Sequence, residues 1–395
     1  MQQKGGAIVK AILMAFFIGI GLLSSLCDVR AIGTQSELRG VWLNQYAFNS
    51  LNRQETLEKI LQANLNTVFV ISPQIEDNNG ESDPDDFKAF IHDAKSRGLS
   101  VHGWICNHWR TDNRSTVNFA DPKEQKAQVK WVISLLDTYP ELDGVHFDYI
   151  RYEIWEKCNA VKMNGINETI RLANAAIKLK YPEKFLTATS FAAASASYHG
   201  VDYGTVVGWL TGLFTGEENL WVGDVPQWYQ KWYAKNPDNW YSMRNTIEKD
   251  LKKTRLLGPE HFNFQQDPTT WIREGMVDAV IPMQYTSNDQ TLEDEVNLWN
   301  SFVPDQSDKI YLGLGWLEEK DHNDWQYDPS AIVRHINYGR SKGIKGFVIF
   351  ELTSAELPEG VDDWDLVRAL SVDSEINNFQ APFSNRVPSP LSSTK

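Results

Sequence analysis

From Glu37 onward, short runs of β-branched and aromatic residues alternate with amphipathic stretches of helical period. This pattern predicts repeated βαβ units and a parallel sheet. Strands are expected at 38–43 (LRGVWL), 67–71 (TVFVI), 99–106 (LSVHGWIC), 142–148 (LDGVHFD), 186–191, 277–283 (VDAVIPM), 310–316 (IYLGLGW) and 346–352 (GFVIFEL). Helical stretches fall at 54–63, 85–97, 292–301, 330–341 and 362–370, and Asp121-Pro122 starts another that runs to Thr138. Gly98 ends the helix before the third strand in the usual C-terminal way. Eight strands alternating with helices predict a closed (β/α)8 TIM barrel of the α/β class rather than an open doubly wound sheet, spanning about 37–370.

Two stretches depart from the alternation. About eighty-five residues separate strands five and six, far more than one crossover helix needs, so an insertion at about 195–268 is expected. Its middle carries Trp221, Trp228, Tyr229, Trp232, Tyr233, Trp240 and Tyr241 among Gly, Asp, Asn and Pro. An insertion after a barrel strand lies on the active-site face, so these rings are either a substrate platform or a small aromatic core. From 371 to 395 the chain turns polar and rich in Pro and Ser, the composition of a disordered tail.

The first 31 residues have the design of a signal peptide: Lys4 and Lys10 precede the apolar run from Ala11 to Leu26, and Val29-Arg30-Ala31 follows as a cleavage region. Export to the periplasm or beyond is expected, with a membrane anchor as the alternative if the segment stays uncleaved. Cys27 lies in this leader. Of the later cysteines, Cys106 and Cys158 follow neighbouring strands and are read as two buried thiols or one bridge.

The net charge of −14 argues against a phosphate-backbone partner, because nucleic-acid binding requires a basic face. Fifteen Trp beside 14 Tyr suit a neutral, hydroxyl-rich ligand, since aromatic rings stack on the C–H faces of sugars as well as filling cores. The sequence contains no GxSxG elbow, phosphate-binding Gly-Lys loop, HExxH, Cys/His metal spacing or dinucleotide fingerprint, so neither a metal nor a cofactor is implied.

Catalytic side chains of such barrels project from strand C-termini into a shared mouth. In LDGVHFDYIRY, alternation puts His146 and Asp148 on one face of strand four, Asp148 at the rim and His146 one layer deeper, with Arg151 close behind. A carboxylate there serves as acid, base or nucleophile according to how its neighbours shift its pKa. Glycoside hydrolysis usually needs a second carboxylate, at about 5–5.5 Å for retention or about 6.5–9.5 Å for inversion. Glu351 at the end of strand eight is the first choice; it lies across a closed barrel from Asp148, which favours the wider, inverting separation. Glu318 and Glu319 after strand seven, Glu76 and Asp77 after strand two, and Asp202 beyond strand five are further choices. Trp104 and Asn107 after strand three, Gln284 and Tyr285 after strand six, and Trp316 after strand seven complete a set that matches a sugar, together with His146 and Arg151.

LRGVWL, LDGVHFDYIRY and WIREGMVDAVIPMQYT (Trp271 to Thr286) resemble the YngK-type bacterial glycosyl-hydrolase-like barrels over about Leu38 to Leu370, with Glu153 where members of that family often have proline. The resemblance implies an exported (β/α)8 glycosidase-like domain with Asp148 as its catalytic group. More distantly, the strand-four pattern DGxDxDxE of family 18 chitinases meets Asp143, Gly144, His146, Asp148 and Ile150, so that isoleucine stands at the acid position. The strand-six pattern MxYD of those enzymes meets Met283, Gln284, Tyr285 and Thr286, which gives their acetamido-assisting tyrosine a match in Tyr285. The expected function is hydrolysis of an oligo- or polysaccharide or a cell-envelope glycan. The alternatives are a barrel that binds glycan without cleaving it and an envelope protein tethered through its leader.

Overall fold

The computed structural model describes residues 37–73, 83–108, 116–152, 160–191, 266–321, 324–327, 329–352, 362–372 and 380–393. The leader, nearly all of the 195–268 insertion, Cys158, Glu76, Asp77 and Asp202 lie outside these residues.

Eight parallel strands close into a barrel: β1 (Leu38–Leu43), β2 (Thr67–Ile71), β3 (Ser100–Cys106), β4 (Gly144–Asp148), β5 (Phe185–Phe191), β6 (Ala279–Gln284), β7 (Leu312–Gly315) and β10 (Gly346–Phe350). Closure is made by β1 against β10, with Leu38 opposite Gly346 and Val41 opposite Ile349. Going either way round the ring, β4 and β10 are four steps apart, so they face each other across the barrel. Strands β8 (Leu317–Asp321) and β9 (Asp324–Tyr327) form a separate antiparallel hairpin after β7, an element the strand and helix pattern of the sequence does not predict.

Among the described residues the α-helices in chain order are α1 (Gln45–Phe48), α2 (Arg53–Gln62), α3 (Pro84–Ser96), α4 (Pro122–Thr138), α5 (Ala160–Lys180), α6 (Pro268–Arg273), α7 (Asp289–Phe302), α8 (Pro329–Ser341) and α9 (Asp363–Ser371). Their starts follow from local chemistry. Asp83, Asp121 and Asp267 each cap a helix through the side-chain oxygen, and proline follows where no backbone donor is needed.

Alternation along the strands divides the apolar residues into two cores. Val41, Val68, Val145, Val280, Leu312 and Ile349 face the helices. Leu38, Trp42, Phe69, Trp104, Ile281, Tyr311 and Val348 fill the barrel. Trp42 fits there because Gly313 opposes it: a Cβ at that glycine would stand 2.8 Å from the indole.

The end of the chain is a correction to the disorder expected from its composition. Residues 380–393 pack across the N-terminal end of the barrel. Phe383 is fully buried, with the guanidinium groups of Arg39 and Arg340 over its ring at 4.6 and 5.6 Å. Leu391 joins the barrel-filling cluster, and its carbonyl accepts from Ser100 Oγ at 2.8 Å. Asp143, at the start of strand four, accepts from the backbone N–H and hydroxyl of Ser393 at 2.8 and 2.7 Å and from Lys95 Nζ at 2.7 Å. Burial would raise the Asp143 pKa, but the Lys95 and Ser393 donors outweigh it and hold the carboxyl below its ordinary value.

Candidate active site at the barrel mouth

Strand four ends at the mouth with Asp148, whose surface is 6% exposed. Its carboxylate is held by three donors. Oδ1 accepts from Thr189 Oγ1 at 2.6 Å and from the Tyr149 backbone N–H at 2.7 Å, and Oδ2 accepts from Trp104 Nε1 at 3.1 Å. Tyr149 has a φ of +49°, in the left-handed region, and this turns the chain out of the strand with its N–H against the preceding side chain. Burial raises the Asp148 pKa, while the three donors and the Arg151 charge pull the other way without cancelling it.

His146 lies one layer deeper and is completely buried. An indole N–H only donates, so the 2.9 Å contact from Trp42 Nε1 makes His146 Nε2 an acceptor. Nδ1 then carries the proton and donates to Thr187 Oγ1 at 2.8 Å. Burial, with His102 adding to it, keeps the ring neutral by lowering its pKa well below the ordinary value. Both nitrogens are committed inside the barrel, so His146 supports the mouth from below.

Glu351 follows β10 across the ring, and its Oε2 accepts from Asn44 Nδ2 at 3.1 Å. Tyr285, after β6, stacks on Phe350 with ring centres 5.1 Å apart. Its side chain passes close over Gly315, where a Cβ would meet the Tyr285 Cβ and ring at 3.1–3.2 Å. Desolvation of its hydroxyl end in the mouth raises the Tyr285 phenol pKa far above its ordinary value, although the residue as a whole is 38% exposed, and the charges of Asp148 and Glu351 both add to the rise. The phenol therefore feels both carboxylates. The Arg151 guanidinium lies 4.3 Å over the Tyr149 ring and acts on Asp148 and Tyr285 as the local positive charge.

The structure places three expected ligand-facing residues elsewhere. Asn107 is buried behind β3, its side-chain amide 2.9 Å from Gln128 of α4, while its backbone N–H donates to the Asp148 carbonyl at 2.7 Å. Trp316 packs in the helix-facing core and donates from Nε1 to the Glu351 carbonyl at 2.8 Å. Gln284 shares the helix-facing parity of Val280, and it is 1% exposed. Each sits one residue out of phase with the inward positions Cys106, Gly315 and Tyr285, which the alternation of the strands explains. Trp104, His146, Asp148 and Tyr285 do share the inward face. Glu318 and Glu319 fall in β8.

Thr189, Thr187, Trp42, Asn44 and the Tyr149 N–H escaped sequence reading. A signal existed in β5: Thr187 and Thr189 alternate with Leu186 and Ala188, and the register that sets Thr187 beside His146 brings Thr189 beside Asp148 two residues on. Among the described residues, the well-exposed aromatic rings are Tyr46 (43%), Tyr149 (38%) and Tyr285 (38%), each just beyond the C-terminal end of a barrel strand. Also among the described residues, no group of three or more His, Cys, Asp and Glu side chains is placed to hold a metal ion.

No protein-family model matches the chain, and no curated protein matches it. Solved structures do resemble it. An endo-1,4-β-D-mannanase from Thermotoga petrophila aligns over 82% of this chain and 91% of its own, with 11% identity and a TM-score of 0.52. A chitinase from Chromobacterium violaceum aligns over 84% and 98%, with 13% identity and a TM-score of 0.50. The PgaB (BpsB) glycoside hydrolase domain from Bordetella bronchiseptica aligns over 86% and 100%, with 10% identity and a TM-score of 0.50. At such identities the likeness shows the fold, a (β/α)8 barrel of the kind these three hydrolases have.

Proposed function

We propose that the protein is an exported glycoside hydrolase acting on a polysaccharide or cell-envelope glycan. The observation that carries the reading is Asp148: a nearly buried carboxyl with a raised pKa at the end of a barrel strand, with Glu351 following the opposite strand of the ring and partly exposed tyrosines just past other strand ends. The solved barrels it resembles include a chitinase, a mannanase and a glycoside hydrolase domain, which supports the same class of substrate.

A carboxyl whose pKa burial raises suits the general acid, and Glu351, held by the Asn44 amide, suits the base. In this scheme Asp148 donates its proton to the glycosidic oxygen as the bond to the anomeric carbon breaks. Glu351 takes a proton from the water that attacks that carbon from the other side. Placement on opposed strands favours inversion. Tyr46, Tyr149 and Tyr285 would stack on sugar faces, Tyr285 also presenting its un-ionised phenol as a donor, and Arg151 would orient a polar substituent beside Asp148.

The test is a screen of the purified protein against bacterial and plant glycans, with Asp148→Asn and Glu351→Gln alongside. Loss of general acid catalysis lowers the rate on the order of 10²- to 10⁴-fold. Sugar release that survives Asp148→Asn undiminished refutes the assignment. Measurable glycan binding with no release across the panel would establish the binding-only barrel instead.

A further inference from the structure

An ionised carboxylate offers about four in-plane acceptor positions, two on each oxygen. In Asp148 three are filled. Thr189 and the Tyr149 N–H occupy both positions of Oδ1, and Trp104 occupies one of Oδ2. The donors come from β5, from the turn after β4 and from β3, so rotating the carboxyl group would break contacts to three separate pieces of backbone.

We infer that Thr189 is a positioning residue: its hydroxyl, supplied by the neighbouring strand, fixes the Asp148 carboxyl so that the single remaining acceptor position, on Oδ2, is where the proton is carried and transferred. The inference rests on the reading of Asp148 as the acid. It adds which oxygen acts and which side chain selects it.

Two features favour Thr189 over a merely structural hydroxyl. Its bond to Asp148 is 2.6 Å, whereas the alternative acceptor, the Phe147 carbonyl, is at 3.4 Å, so its one proton is directed to the carboxylate. Thr189 is itself 1% exposed, which places it behind the carboxyl and away from any substrate. The same strand repeats the arrangement one layer down, where Thr187 fixes the His146 ring. Strand β5 thus sets the orientation of both ionisable groups on the inward face of β4.

The test is the Asp148 titration in the full chain, read from carboxyl ¹³C shifts with Asp148→Asn to assign the signal. Thr189→Val keeps the volume but removes a donor that favours the ionised form, so the Asp148 pKa should rise by about one unit. Thr189→Ser should return it to within about 0.3 units of the starting protein. An unchanged pKa in the valine variant overturns the inference. If that variant does not fold, Thr189→Ala takes its place with the same expectation. On a glycan identified by the screen, the limb of the pH–rate profile governed by Asp148 should move with the pKa read by NMR; a limb that stays fixed while that pKa moves overturns the positioning role. Full hydrolysis by Asp148→Asn would instead refute the acid assignment and leave the titration result intact, so the two failures are distinguishable.

Discussion

Replacing Phe383 with alanine measures how firmly the C-terminal segment belongs to the barrel. The ring is fully buried, and the Phe383 backbone N–H and carbonyl are both engaged, by the Leu370 carbonyl at 2.8 Å and Asn64 Nδ2 at 2.7 Å. Truncating a buried phenylalanine costs about 3–5 kcal/mol. The two guanidinium contacts over its ring, at 4.6 and 5.6 Å, place the loss in the upper part of that range. Arg340 keeps both bonds to Glu37 at 2.6 Å and Arg39 keeps its 2.8 Å pair with the same carboxylate, so no charge is stranded and the loss is one of packing. With an unfolding entropy of about 2.1 cal/mol/K per residue over roughly 360 residues, a loss of ~5 kcal/mol lowers Tm by about 6–7 °C. Thermal unfolding followed by tryptophan fluorescence reads this directly. Val372→Ala, at a position 56% exposed, is the control and should stay within about 0.5 kcal/mol. A loss below ~1 kcal/mol for Phe383→Ala would mean that the segment peels away at little cost, and the account of a sealed barrel end would fail.

Glu295 on α7 is pushed up to about 8 by burial, with Asp294 adding to the rise. Its folded-state pKa lies above the unfolded value, so its favourable contribution is complete below about pH 4.5 and is lost as pH rises towards 8. Allowing for partial solvent screening, Glu295→Gln should gain roughly 2 kcal/mol over the starting protein at pH 9 and nothing at pH 4.5; equal urea midpoints at both pH values would refute the burial argument. Buried His102 is the opposite case. Burial depresses it to about 4, so the unfolded chain takes up its proton first and stability falls as pH drops below about 6.5, by on the order of 1.4 kcal/mol per pH unit. His102→Asn should flatten that part of the stability–pH curve, and an unchanged slope would show that the ring is not neutral in the folded protein.

Much of the fold was legible because the barrel repeats one local rule. Alternation in VHFD put His146 and Asp148 on one face, and Asp121-Pro122 marked where α4 begins. The C-terminal segment was misread for a definite reason. Besides the Phe383 and Leu391 side chains, much of what holds it is its own backbone: the carbonyls of Pro382, Asn385, Val387 and Leu391 accept from Arg340, Arg39, Asn66 and Ser100. Backbone acceptors are the same in every sequence, so Pro and Ser content could not distinguish a docked segment from a disordered one. Asn107, Gln284 and Trp316 lie off the mouth because strand parity, and not mere proximity to a strand end, decides which way a side chain faces. Thr189 was invisible until the register between β4 and β5 was known, since a single strand does not reveal its neighbour.

His146 and Asp148 show why site chemistry follows from hydrogen-bond capacity rather than from pKa shifts alone. Both lie on the inward face of β4, and in both burial disfavours the charged form. Yet His146 has spent both nitrogens, on Trp42 and Thr187, whereas Asp148 retains one acceptor position. Only the second can exchange a proton with a ligand without first breaking the barrel interior. The same turn accounts for Ile150. With Tyr149 at positive φ, the chain leaves the strand and carries Ile150 into the helix-facing core, where it is fully buried among apolar neighbours. The position where family 18 chitinases carry their acid therefore does not open on this mouth. In the proposed hydrolysis a second carboxylate therefore has to come from another strand, and Glu351, whose charge reaches the same tyrosine as that of Asp148, is the candidate for it.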